Sequence, residues 1–212
     1  GPSAISAVTY GTKKIKPVNK VIGPGNQFVS AAKKEVSGDI GIEAMTAGPS
    51  EVLIVADKSS NPEWLASDLL GQAEHDQLAQ CILISKDKNI LEKTKKEVFE
   101  QLKNLPRLSI AKKSLMMNGI LIYSNSDKKI IEITNKIGPE HLELNVKNYK
   151  SFVAKIKNAG SVCLGKYAVM AMTDYGAPGS NHVLPTNMTS KYSSGLNVSE
   201  FMKKISYITL SK

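Results

Sequence analysis

The sequence predicts an α/β fold, a mostly parallel sheet flanked by helices on both faces. Short runs of β-branched and aliphatic residues recur along the chain: EVLIVA at 51–56, AQCILIS at 79–85 and GILIY at 119–123. Between them lie segments whose apolar residues follow helical spacing. The runs are apolar throughout rather than alternating, as strands covered on both faces require. The 212 residues, 42% hydrophobic and 22% charged, suffice for one large domain or two small ones.

Each element has its own local warrant. Lys20-Val21-Ile22 reads as a short strand ending on Gly23-Pro24-Gly25, after which Asn26 caps a helix through Phe28, Ala31, Ala32 and Val36 to Gly38. EVLIVA is closed by Asp57, and Asn61 then caps a helix with Pro62 at its first position, running to about His75. After the strand 79–85 comes a long amphipathic helix, 88–104, with Leu91, Val98 and Leu102 in its stripe. The strand 119–123 precedes a helix that begins at Ser126-Asp127-Lys128 and runs through Ile130, Ile131, Ile133 and Ile137. A helix near 147–158 and a strand at 160–164 complete the alternation. Residues 173–197 break it, being rich in Gly, Pro, Ser, Thr and Asn, and so long an irregular stretch in a domain is usually functional. The opening Gly1-Pro2-Ser3, without an initiator Met, reads as a remnant of tag cleavage.

The bulk chemistry excludes several classes. No run approaches the ~18 apolar residues that a membrane span needs, and no basic-then-apolar leader opens the chain. The net charge of +9 invites a nucleic-acid reading, but Arg107 is the only arginine and the lysines are interleaved with acids, as in LEKTKKEVFEQLKN. That pattern is a solvated helix face, so no nucleic-acid partner is expected. Cys81 and Cys163 each lie inside an apolar run, which fits buried strand thiols and a reducing, cytoplasmic setting.

The polar candidates lie outside the strand runs. Gln72 and His75, at i and i+3, share a face near the end of their helix; an amide oxygen and an imidazole can both ligate a divalent metal, though the spacing also suits a surface pair. Glu140 and His141 stand together in IGPEHLEL, just after a Gly-Pro turn, either as a solvated turn or as an acid–base pair. Asp174 and His182 fall in TDYGAPGSNHVLPT, where a site at the carboxyl ends of parallel strands would draw on them. Ser50 enters the strand 51–56 and could face a ligand, and the turn before Asn26 offers backbone N–H groups to an anion.

Taken in order and spacing, GPGNQFV, AGPSEVLIVAD, ASDLLGQAEH, IGPEHLEL, AGSVCLG, DYGAPGSNHVLPT and SSGL resemble the histidinol dehydrogenases, from about Ala4 onward. The resemblance implies incomplete Rossmann-like modules in an aldehyde dehydrogenase-like architecture. It implies oxidation of L-histidinol to L-histidine through a bound aldehyde, with NAD and one zinc ion per subunit of a homodimer. Gln72, His75 and Asp174 match zinc ligands, Glu140 and His141 the catalytic pair, Ser50 a substrate contact and Asn26 an NAD contact. The ligands Gln72, His75 and Asp174, with His141 and His182, match substrate-binding positions.

Residues 1–47 would finish the nucleotide-binding module, 48–194 would form the second half of the catalytic module, and 195–212 would begin a dimerisation tail. The family chain is about twice this length, its tail carries a further zinc-ligand histidine, and Ser3 stands where the family pattern has an NAD-contacting Gln. A related enzyme acting on another polar alcohol, or a fragment that folds or binds without chemistry, is the alternative.

Overall fold

The computed structural model describes residues 1–43, 48–174 and 183–211, with the backbone alone at 173 and 174. The chain opens with helix α1 (Pro2–Tyr10), strand β1 (Lys20–Val21), helix α2 (Gln27–Glu35) and strand β2 (Gly41–Ile42). β1 and β2 pair in parallel as a small sheet, and Ile5, Val36 and Ile40 close the core beneath it. Gly1 stands at the N-cap of α1 and Pro2 opens the helix, at the position where its missing N–H costs nothing. A buried ion pair, Lys33 to Glu43 at 2.6 Å, ties α2 to the end of β2, and the Lys33 ammonium also donates to the carbonyl of Gly23.

The larger unit holds β3 (Glu51–Ala56), α3 (Pro62–Ala73), β4 (Gln80–Ser85), α4 (Lys88–Leu102), α5 (Leu108–Asn118) and β5 (Gly119–Tyr123). It continues with α6 (Asp127–Ile137), β6 (His141–Asn145), α7 (Lys150–Val153), β7 (Ser161–Leu164) and α8 (Met170–Asp174). Its five strands are all parallel, in the order β5-β4-β3-β6-β7. The order reverses between β3 and β6, so the fold is doubly wound.

The strand runs bury both faces, as their unbroken apolarity requires. Val52, Ile54 and Ala56 face α3 and α4 with Leu65, Leu69, Leu70 and Leu91, whereas Leu53, Val55, Leu142 and Leu144 face α6 with Ile130 and Ile131. Helix ends follow local chemistry: the Asn61 and Ser126 side chains accept the N–H groups of Glu63 and Lys129. Gly138 ends α6 in the left-handed conformation, φ 59°, that glycine tolerates best.

One expectation fails and one element was not foreseen. The helix near 147–158 is a single turn, α7, flanked by turns, because seating Phe152 in the core is all the short β6–β7 link needs. The unforeseen element is α5, which has no strong apolar stripe. It buries only Ala111 and Ser114, and the Ser114 hydroxyl donates to the carbonyl of Ala79 at 2.9 Å.

Candidate active site

A crossover helix runs antiparallel to the strands it connects. The C-terminal end of α3, with Gln72 and His75, therefore lies over the edge where the strands begin. Only the short turn 76–79 separates His75 from Gln80, whose N–H donates to the carbonyl of Ser50 at 3.0 Å. Ser50 immediately precedes β3, and two residues into β3, Val52 pairs with His141 at the first position of β6. Neighbouring strands are ~4.8 Å apart, so Ser50, Gln72, His75, Glu140 and His141 gather at one edge of the switch point. That edge is the amino edge, not the carboxyl ends expected from the sequence. A hollow of about 560 Å³ does lie at the carboxyl end of β5, but Tyr123, Ser126 and Lys129 line it with none of the candidates.

Glu140 and His141 are not the solvated turn they could have been. Glu140 is only 7% exposed, and its Oε2 accepts the backbone N–H of Glu51 at 3.1 Å. The Glu51 carboxyl in turn receives the backbone N–H groups of Asn187, at 3.2 Å, and Glu140, while burial pushes its pKa up. The entrances of β3 and β6 are thus locked to each other. Glu140 Oε1 lies 3.7 Å from His141 Nε2, so the acid and the imidazole share one locale. By register His141 projects to the same face as Val52, the face that α3 covers. Gly160 permits this packing: a Cβ there would sit 2.6 Å from the Glu140 carbonyl oxygen and 3.1 Å from Pro185.

The donors at this edge bear on whether a metal fits. Gln72 is 2% exposed, and its Oε1 accepts no hydrogen bond among the described residues. An amide oxygen buried that way costs ~1–3 kcal/mol unless something binds it, and a cation is one such partner. His75 is exposed at the same helix end, one turn on. α8 packs beside α3 and ends at Asp174, whose side chain lies outside the described residues. Among the described residues no three His, Cys, Asp or Glu groups converge by themselves. The donors present suit a borderline divalent ion such as zinc.

The remaining candidates are dispersed or undescribed. Asn26 stands on the smaller unit, and its Oδ1 caps α2 by accepting the N–H groups of Phe28 and Val29, both at 3.1 Å. Gly23 N–H is likewise spent on Glu43, so the turn presents fewer donors to an anion than its sequence suggested. His182 lies outside the described residues. Cys81 and Cys163 are buried, and desolvation pushes both thiols up to about 12, which leaves no thiolate for covalent catalysis. No helix among the described residues is long and apolar enough to cross a membrane.

Comparison with known proteins bears on this arrangement. The family model described as histidinol dehydrogenase matches residues 1–212. The chain belongs to the histidinol dehydrogenase family. It is 73% identical over 212 residues to the histidinol dehydrogenase of Pelagibacter ubique and 47% identical to that of Listeria monocytogenes, in each case covering 100% of this chain and 49% of the relative. The crystal structure of histidinol dehydrogenase from Elizabethkingia anophelis superposes with a TM-score of 0.91 at 44% identity, over 95% of this chain and 46% of that one. The chain thus spans about half the length of the relatives it matches.

Sequence reading missed three carboxyl groups of this family member: Glu51, Asp68 and Glu143. Glu51 and Glu143 lie within apolar strand runs, EVLIVA and HLELN, where a single acid is easily taken for an edge residue. Their burial, 8% and 1% exposed, is the signal that sets them apart, and only the folded chain supplies it.

Proposed function

We propose that the full-length protein is a cytoplasmic, homodimeric histidinol dehydrogenase that oxidises L-histidinol to L-histidine through L-histidinal. In this reading residues 1–47 complete a nucleotide-binding module, 48–194 supply the second half of the catalytic module, and 195–212 begin the dimerisation tail. The observation that carries it is the joining of the β3 and β6 entrances around Glu140 and His141, beneath the end of α3, in a chain that matches the family throughout.

Within it, His141 takes the proton of the substrate hydroxyl in the first oxidation. The Glu140 carboxylate, 3.7 Å from its Nε2, offsets the positive charge the imidazole gains. Glu140 then takes a proton from the water that adds to the aldehyde, giving the hydrate, as its oxyanion, that the second oxidation consumes. Neighbouring bases suit this sequence because both serve one carbon in turn. NAD, when bound, accepts the hydride of each oxidation, with Asn26 as a contact through the amide that capping leaves unused. Zinc, when bound by Gln72, His75 and Asp174, supplies a Lewis acid that orients the substrate's amine and imidazole. Ser50 and His182 contact the substrate alongside these residues.

The test assays each half-reaction of the full-length protein separately. His141→Asn should slow alcohol oxidation, and Glu140→Gln chiefly aldehyde oxidation, each by ~10²–10⁴-fold. Equal losses in both steps for both variants would refute the division of labour.

A further inference from the structure

Two buried carboxyl groups take no part in that chemistry. Glu143 lies on β6 two residues beyond His141, is 1% exposed, and projects beneath α3. Asp68 lies on α3, one turn before Gln72 on the same helix face. The two carboxyl groups adjoin, so that a proton on one can be shared with the other. Asp68 Oδ2 and Glu143 Oε2 are buried and accept no N–H or hydroxyl among the described residues, as expected of two carboxyl groups that hold one proton between them. Burial and the Asp68 charge push Glu143 up to about 8, making it the donor of the pair at neutral pH.

Glu143 has a second partner. Its Oε1 accepts the backbone N–H of Met170, the first residue of α8, at 2.8 Å. One side chain therefore joins β6, α3 and α8. The segment leading into α8 has a further hold on α3, where the Tyr167 ring lies 5.9 Å from that of Trp64. The helices so joined are those that carry Gln72, His75 and Asp174.

We propose that Glu143, paired with Asp68, is a positioning residue for the metal centre: it sets α8, and with it Asp174, against the α3 face that presents Gln72 and His75. The inference rests on the ligand reading given above. Partners that orient ligands are typically worth ~10–100-fold in metal affinity.

The experiment measures zinc affinity of the full-length protein by competition with a chromophoric chelator. Glu143→Gln keeps an oxygen for Met170 and an N–H for the Asp68 carboxylate, and should retain wild-type affinity. Glu143→Ala removes both contacts and should weaken zinc binding ~10–100-fold. If Glu143→Ala does not fold, Glu143→Asp, shorter by a methylene, should fall below Glu143→Gln in the same measurement. Affinity unchanged in both Glu143→Ala and Glu143→Asp, or lost as much in Glu143→Gln as in Glu143→Ala, would overturn the proposal. A wild-type protein that takes up no zinc would instead overturn the ligand reading, and the positioning role with it.

Discussion

Replacing Glu140 separates what its carboxyl does for the fold from what it does for chemistry. Its Oε2 is the acceptor for the Glu51 N–H, at 3.1 Å, where β3 begins between β4 and β6. Glu140→Ala removes that acceptor at a buried position and leaves the amide without this bond, which costs ~1–3 kcal/mol. For a chain of this size each kcal/mol lowers Tm by about 2–4 °C, so a drop of about 2–12 °C is expected. Glu140→Gln keeps a carbonyl oxygen of the same reach for the Glu51 N–H, so it should cost clearly less than Glu140→Ala. Both variants also lose the general base proposed above, so under that proposal the full-length protein should lose aldehyde oxidation in both. Urea unfolding of the 212-residue chain, followed by circular dichroism, gives the stabilities. If Glu140→Ala cost nothing, or Glu140→Gln cost as much as Glu140→Ala, the lock between the two strand entrances would be refuted.

Two other outcomes follow from the same interior. Glu143 has its folded pKa raised to about 8, above its value in the unfolded chain, so the folded state keeps a proton the unfolded state has lost. Stability should fall as pH rises from the ordinary carboxyl range to about 8, by up to about 1.4 kcal/mol per pH unit. Glu143→Gln should flatten that slope; a wild-type stability unchanged between about pH 5 and about pH 8 would count against the buried proton. The 212-residue chain alone should bind zinc weakly and show no dehydrogenase turnover, because it spans about half the length of its relatives and holds only part of the proposed ligand set. Isothermal titration with zinc and an NADH-absorbance assay with histidinol check this, and turnover typical of an ordinary dehydrogenase would refute it.

Much of the architecture was legible because its causes are local. EVLIVA is a covered strand whatever surrounds it, Asn61-Pro62-Glu63 starts a helix by its own capping chemistry, and Gly138 ends one because a left-handed residue is needed there. The candidate residues stood out through their motifs, singly and in register with a family.

The sequence could not reveal where those residues meet. Strand order is a long-range outcome: β6 lies beside β3 although β4 and β5 come between them in the chain, and that placement turns Glu140 and His141 from a turn into neighbours of the β3 entrance. The edge was misjudged for the same reason. Which strand ends a helix covers depends on its antiparallel return across the sheet, and this return carries Gln72 and His75 to the amino edge. The Asp68–Glu143 pairing lay furthest from view. A carboxyl group reads as a surface charge until tertiary packing removes its water, and only then must it find a partner and keep its proton.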